Sequence, residues 1–134
     1  MAPHRIRRNL QTRQVILDSS ALLMLFEFSL NLDSELTRLL GVYDVVIPLP
    51  IIDELKTLSQ RGDGRKSRMA HAALQLAQTF AHIAIAGKGD DALMAYAQTH
   101  ACIIITNDKA LRKRLKEIPR QVIFLRNKKT LVIE

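Results

Sequence analysis

Residues 15–23 read Val-Ile-Leu-Asp-Ser-Ser-Ala-Leu-Leu, an aliphatic run that ends in one carboxylate and two hydroxyls and then continues with helix-forming residues. This order predicts a β-strand followed directly by an α-helix, with Asp18 at the junction. In open α/β sheets, ligands bind outside the carboxyl ends of the parallel strands. Asp18 is therefore expected at the sheet edge where a metal ion or a phosphate group would bind.

The same alternation of strand and helix recurs along the chain and predicts an α/β fold, with a central, mainly parallel sheet and helices on both faces. Further strands are predicted at 43–47, 82–86, 102–105, 121–125 and 130–133, and helices at 19–28, 34–40, 50–60, 92–99 and 109–116. Another helix is expected to end near residue 79, after an exposed, glycine-containing basic loop at 60–68. Residues 14–134 are predicted to form a single domain, and residues 1–13, which include Arg5, Arg7, Arg8 and Arg13, a basic N-terminal tail.

The amino-acid composition indicates which kind of molecule the protein binds. The 134 residues include 20 Lys and Arg against 13 Asp and Glu, which gives a net charge of +7 and a pI near 10. Such a surface favours polyanions, and we expect nucleic acid rather than a membrane because no basic amphipathic helix carries Trp or Phe. One unpaired cysteine and the lack of a signal-like or membrane-spanning stretch lead us to expect a cytoplasmic protein. The four histidines have no ligand spacing, which argues against zinc.

Acidic residues follow strand ends or open helices at four places along the chain. They are Asp18, Glu54, the adjacent pair Asp90 and Asp91, and Asp108. Glu54 borders the apolar arc of its helix, whereas Asp53 points away from it. Spacing does not choose between Asp90 and Asp91, and acids at a helix start are also common as caps.

Carboxylates gathered at one sheet edge, without lysine among them, suit Mg²⁺ or Mn²⁺. Two such ions can activate water and stabilise the leaving oxygen of a phosphodiester. The hydroxyls of Ser20 and Thr106 are suited to orienting the carboxylates or a water on the metal.

Several segments resemble the motifs of PIN-domain nucleases, in the same order and over nearly the whole chain. These are LDSSALL at 17–23, PIIDEL at 50–55, DDALMAYA at 90–97 and ITNDKALRKRLK at 105–116. The last two, with FLRNKKTL at 124–131, are most similar to the small PIN proteins concerned with ribosomal RNA processing. The resemblance implies a Rossmann-like sheet and Mg²⁺- or Mn²⁺-dependent endonuclease activity on single-stranded RNA.

The resemblance also implies roles for individual acids. Asp18 matches the first acid of the family, Glu54 the second and Asp108 the fourth. The third falls on Asp91, because the family pattern has an aliphatic residue three positions after the acid, here Met94. Asp90 stays a further candidate metal ligand, since a doubled acid recurs in this branch. Ser20 stands where many relatives carry Asn, which keeps a hydrogen-bonding group.

Basic residues around the predicted acidic site are candidates for contacts with RNA phosphates. They come from the basic loop, the helix after Asp108 and the last turn, and they are Arg65, Lys66, Arg112, Arg126 and Lys128. With only two Tyr, four Phe and no Trp, little surface is expected for base stacking. Electrostatic attraction should therefore dominate RNA binding.

Other functions remain open at this point. The chain also resembles VapC-type toxins, ribonucleases that are held by an antitoxin partner, and a low-activity RNA-binding ribosome-assembly factor is a third alternative. A homodimer is a further arrangement that the sequence leaves open. A receiver domain would need an acid pair on its first strand, and a haloacid-dehalogenase phosphatase would need Asp-x-Asp where this chain has Asp18-Ser19-Ser20.

Overall fold

Short aliphatic segments form the strands of a single six-stranded sheet in the computed structural model, which describes residues 13–134. The strands are β1 (Arg13–Leu17), β2 (Tyr43–Pro48), β3 (Ala81–Ile83), β4 (Ile103–Ile105), β5 (Val122–Arg126) and β6 (Thr130–Ile133). Their order across the sheet is β3-β2-β1-β4-β5-β6. The first five are parallel, and β6 pairs antiparallel with β5. The predicted mainly parallel sheet is confirmed.

Helices connect the strands and cover the sheet. They are α1 (Ser19–Glu27), α2 (Leu32–Leu40), α3 (Leu49–Ser59), α4 (Arg65–Ala77), α5 (Gly89–Thr99) and α6 (Lys109–Leu115). None of the helices within residues 13–134 is long and apolar enough to cross a membrane.

Alternation along β1 divides the core between the two faces of the sheet. Val15 and Leu17 are fully buried in a cluster with side chains from α1 to α4. Ile16, between them, is fully buried in a second cluster with residues of α5 and α6. Because successive side chains of a strand point to opposite faces, this division confirms helices on both sides of the sheet.

The central position of β1 places its carboxyl end beside that of β4. Leu17 is paired with Ile105 in the parallel register, and the Asp18 N–H donates to the Ile105 carbonyl at 3.3 Å. Parallel strands end at the same edge of a sheet, so the residues that follow β1 and β4 are neighbours. The fold therefore brings the first and last acidic segments of the chain together.

Several boundaries differ from the prediction: α2 begins at Leu32 rather than residue 34, α5 begins at Gly89 rather than residue 92, and two further differences lie between them in the chain. The third strand spans Ala81–Ile83 rather than 82–86, and α4 begins at Arg65, so the loop predicted at 60–68 is shorter. The buried Ser67 explains the start of α4, because its Oγ donates to the Ser59 carbonyl at 2.7 Å and to the Gly62 carbonyl at 2.9 Å. These bonds hold the first turn of α4 against the end of α3.

The predicted tail is described only at its last residue. Arg13 is the first residue of β1 and is paired with Tyr43. Arg5, Arg7 and Arg8 lie outside the described residues.

Candidate active site

Asp18 lies at the carboxyl end of β1, where it is only 5% exposed and begins α1 as its N-cap. Its Oδ1 accepts hydrogen bonds from the Ala21 N–H at 2.8 Å and from Ser20 Oγ at 2.7 Å. Its Oδ2 accepts one from Thr106 Oγ1 at 2.5 Å. Each carboxylate oxygen accepts two hydrogen bonds, so Oδ2 keeps one free acceptor position.

The two hydroxyls that hold Asp18 also hold the segment after β4. Ser20 Oγ accepts the Asn107 N–H at 3.0 Å, and Thr106 Oγ1 accepts the Asp108 N–H at 3.0 Å. Ser20 and Thr106, which were expected to orient a carboxylate, therefore fix Asp18 and Asp108 relative to each other. Thr106 is fully buried, so its bond to Asp18 is protected from competition with water.

Glu54, in α3, and Asp108, at the start of α6, lie at the same edge of the sheet as Asp18. Glu54 is exposed, and its Oε2 accepts a hydrogen bond from Ser19 Oγ at 2.8 Å. Asp108 caps α6, and its Oδ1 accepts from the N–H groups of Ala110 at 2.9 Å and Leu111 at 3.3 Å. The second carboxylate oxygen of each residue takes part in none of these bonds and is available to a ligand.

The structure separates the adjacent acids at the start of α5. The Asp91 side chain is 89% exposed and forms an ion pair with Arg114 Nη2 at 2.8 Å. Asp90 is partly buried, and its carboxylate interacts electrostatically with those of Asp18, Glu54 and Asp108. Adjacent residues of an α-helix differ in direction by about 100°, so only one can face the site. The interactions with the other acids involve Asp90, whereas the sequence motif indicates Asp91.

The motif did not discriminate between the two acids. Asp91 is followed three positions later by Met94, but Asp90 is followed at the same spacing by Leu93. Leu93 and Met94 are both buried in the core. The aliphatic position therefore matches either acid, and only the orientation of α5 distinguishes them.

Burial, with a contribution from neighbouring carboxylates, shifts the pKa of two of the acids. Burial raises the pKa of Asp18 to about 6, against the hydrogen bonds from Thr106, Ser20 and the Ala21 N–H, and the charge of Asp90 adds to the rise. Burial is also the largest cause of the raised pKa of Asp90, and the charge of Asp108 is the second. Asp91 and Glu54 raise this pKa further, whereas Arg114 lowers it. Asp90 thus interacts with the charges of the acids around it, and a cation at this edge would offset their repulsion.

The acids fit a hard divalent cation by chemistry, although their side chains are not preassembled. Oxygen ligands alone are what Mg²⁺ and Mn²⁺ prefer. Within the described part of the chain, no group of three or more Asp, Glu, His or Cys side chains is already arranged to hold a metal ion. Asp18 is fixed by its bonds, whereas the exposed Glu54 side chain can reorient by exchanging a single bond to Ser19. For these residues to hold a cation, the exposed side chains would have to move around a fixed Asp18.

The predicted phosphate contacts lie in different surroundings. Arg65 and Lys66 are exposed at the start of α4, and Arg126 and Lys128 are exposed at the carboxyl end of β5 and in the turn after it. Arg112 instead stacks on the Phe124 ring at 3.6 Å from the ring centre and lies 3.9 Å from Glu134. This placement indicates a packing role for Arg112.

Two cations beside the acidic edge were missed in the sequence. Arg61 and Lys88 line a cavity of about 820 Å³ that also includes Glu54. Arg61 lies in the same basic segment as Arg65 and Lys66, the predicted phosphate contacts. Lys88 precedes Asp90 by two residues. Proximity to the acids in sequence was the available signal for Lys88. Its position in a shared cavity depends on the packing of α3 against residues 84–89.

Ionisation of Asp18 should lower the stability of the metal-free protein as pH rises. Its pKa is about 6 in the folded chain against an ordinary value of 3.8, so the folded state holds more protons between these values. The free energy of unfolding should then fall from about pH 4 to pH 6 by up to roughly 3 kcal/mol and remain lower above pH 6. Asp18→Asn keeps a capping oxygen and should lose this part of the pH dependence.

Denaturant unfolding in EDTA at pH 5 and pH 7.5 measures the effect. Wild type should lose stability between the two values, and Asp18→Asn should lose much less. An equal change in both proteins would show that Asp18 is ionised in the folded chain at pH 5.

Comparison with known proteins agrees with this architecture. Residues 15–128 match the family model of the PIN like domain. The chain is 28% identical over 127 residues to ribonuclease VapC9 of Archaeoglobus fulgidus, covering 95% of this chain and 93% of that protein. It is 30% identical over 121 residues to ribonuclease VapC4 of Methanocaldococcus jannaschii, covering 87% of this chain and 92% of that protein.

A solved structure supports the same relationship. The PIN domain endonuclease Utp24 superposes with a TM-score of 0.75 at 25% identity, over 90% of each chain. The family match covers most of the chain and includes Asp18, Glu54, Asp90 and Asp108. This chain belongs to the PIN-like domain family.

Proposed function

We propose that this protein is a divalent-metal-dependent endoribonuclease that cleaves single-stranded RNA. The observation that carries the proposal is the placement of the acids at one edge of the sheet, where shared hydroxyl contacts fix Asp18 and Asp108 and Ser19 binds Glu54. Asp90 lies beside them and interacts with their charges. Two relatives of nearly the same length are named ribonucleases, and the structural neighbour is named an endonuclease. These names support RNA as the substrate and internal cleavage as the reaction.

In this proposal the four acids hold Mg²⁺ or Mn²⁺, as one ion or two. The bound cation supplies water activation and stabilisation of the charge that develops on the phosphodiester. Asp18 is the fixed ligand, because Ser20 and Thr106 hold both of its oxygens. Ser19 positions Glu54, and the start of α6 positions Asp108.

We assign the third acid to Asp90 rather than to Asp91. Asp91 is nearly fully exposed and already paired with Arg114, whereas Asp90 is repelled by Asp108 and Glu54. In this assignment the bond to Asp91 keeps the Arg114 guanidinium away from the metal-binding carboxylates. The positive charge of Arg114 still reduces the repulsion at Asp90.

The biological role of the cleavage has two candidates. The names of the two relatives favour a VapC-type ribonuclease with an antitoxin partner. The FLRNKKTL segment at 124–131 favours ribosomal RNA processing by resemblance. Growth arrest on expression that a neighbouring small gene relieves would support the first, and defective rRNA maturation after deletion would support the second. A protein that binds RNA without cleaving it in Mn²⁺ would instead be a scaffold.

Asp108→Asn should abolish cleavage without unfolding the protein. The change keeps the oxygen that caps α6 and removes the charge that attracts the cation. Because even partners outside the ligand set cost about 10–100-fold, we expect a loss of more than about 100-fold. Cleavage of labelled single-stranded RNA, with Mn²⁺ and with EDTA, measures it. Asp63→Asn makes the same chemical change in an exposed loop and should cleave like wild type; full activity of Asp108→Asn would contradict the proposal.

Asp90→Asn should impair cleavage at least about tenfold more than Asp91→Asn. The first change removes a carboxylate from the acidic edge, and the second only releases an exposed ion pair, which is worth about 1 kcal/mol or less. The same RNA cleavage assay decides between them. Greater damage from Asp91→Asn would return the third acid to the position that the sequence motif indicated.

RNA binding should weaken steeply with salt. For about four phosphate contacts on a single strand, the logarithm of affinity should fall with the logarithm of salt concentration with a slope of roughly −3. Replacing Arg65, Lys66, Arg126 or Lys128 with Ala should flatten the slope by about 0.7 wherever the residue contacts phosphate. Arg112→Ala should leave the slope unchanged and reduce stability, because it removes the contact with Phe124. Fluorescence anisotropy in EDTA measures the slopes, and an affinity independent of salt would contradict electrostatic binding.

A further inference from the structure

A cleft beside the acidic edge is lined by apolar and basic side chains as well as acidic ones. It lies between α3 and residues 84–89, encloses about 820 Å³ and shares Glu54 with the acidic group. Pockets that bind small molecules usually measure about 300–1,000 Å³. The cleft is therefore large enough to hold part of a substrate whose phosphate lies at the acids.

The lining of the cleft combines apolar side chains with polar and charged ones. The apolar residues are Leu49, Pro50, Leu58, Ala84 and Ile85. Leu49 is 43% exposed at the first position of a helix that packs against the core. An exposed apolar surface next to a hydrophilic centre suits a ligand with a flat apolar face.

Charged groups of both signs surround this apolar surface. Arg61 lies just beyond the end of α3, and Lys88 lies between Gly87 and Gly89, whose φ angles are +81° and +73°. These left-handed conformations favour glycine and turn the chain directly into α5, which places Lys88 next to the cleft. Asp53 also lines the cleft and can accept only from donor groups of a ligand. The cleft thus offers two cations that can bind phosphate, two carboxylates (Asp53 and Glu54) as acceptors, and an apolar floor.

We propose that this cleft binds one unpaired nucleotide of the RNA next to the phosphate that is cut, with the base against Leu49 and the backbone phosphate on Arg61 and Lys88. The inference rests on the proposed function, since it assigns a binding position to the same substrate. A nucleotide combines a flat base, an anionic phosphate and hydrogen-bond donors, which matches the three kinds of lining. Bases of a duplex are stacked and paired, so only a single strand can place a base there.

The test uses RNA whose cut position has been mapped with the wild-type protein and Mn²⁺. Abasic nucleotides are introduced one at a time around that position, and KM and kcat are measured for each RNA. One abasic position next to the cut should raise KM about fivefold for wild type, the lower end of the range for a base on an aromatic side chain, because leucine offers a smaller apolar face. Leu49→Ser should lose this penalty, because the contact is already absent. Val42→Ser, an exposed apolar residue before β2, should retain it.

The cations are tested in the same assay. Arg61→Ala and Lys88→Ala should each raise KM roughly tenfold with little change in kcat, as expected for the loss of a charged hydrogen bond to a phosphate. Lys56→Ala removes an exposed lysine of α3 that does not line the cleft and should behave like wild type.

Two outcomes would overturn the inference. If wild type cleaves RNA but no abasic position changes KM, or Leu49→Ser keeps the wild-type penalty, the cleft does not bind a base and the proposed function stands. If wild type cleaves no RNA with Mn²⁺, the proposed function fails and the inference fails with it.

Discussion

The burial of the Asp18 carboxylate is the constraint on which the site depends. A buried carboxylate is costly unless hydrogen bonds satisfy its oxygens. Here the Ala21 N–H and the hydroxyls of Ser20 and Thr106 satisfy them. Because Thr106 follows β4 and Asp18 follows β1, the bond between them joins two strand ends at the centre of the sheet. The register of these strands and the position of the acid are therefore maintained by the same contacts.

The hydrogen bonds do not fully offset the cost of burial, as the raised pKa of Asp18 shows. Asp90 is shifted in the same direction, and part of its shift comes from the charges of Asp108, Asp91 and Glu54. A chain selected for stability alone would not collect these charges at one edge. Strain of this kind is expected where a protein binds a cation, since the ion reverses the sign of the interaction among its ligands.

Most of the fold could be predicted because each strand has its own local signal. The aliphatic runs before Asp18 and Thr106 indicate buried parallel strands, and the acids at their ends mark one sheet edge without any knowledge of tertiary contacts. The third acid could not be assigned in this way, because Asp90 and Asp91 have the same spacing to a buried aliphatic residue. Their roles depend on the rotation of α5 about its axis, which is set by packing.

The positions of the surface cations also could not be predicted from the sequence, because they depend on tertiary packing. Arg112 lies in a basic segment, yet it stacks on Phe124, which follows it by twelve residues. Arg61 and Lys88 are 27 positions apart in sequence and line one cleft.

The central claim is that Asp18, Glu54, Asp90 and Asp108 hold a divalent cation. Diffraction from crystals soaked in Mn²⁺, recorded at the manganese absorption edge, tests it most directly. We predict anomalous density within coordination distance of these four carboxylates, with Asp91 still paired to Arg114; manganese bound elsewhere, or ligated by Asp91 in place of Asp90, would contradict the account.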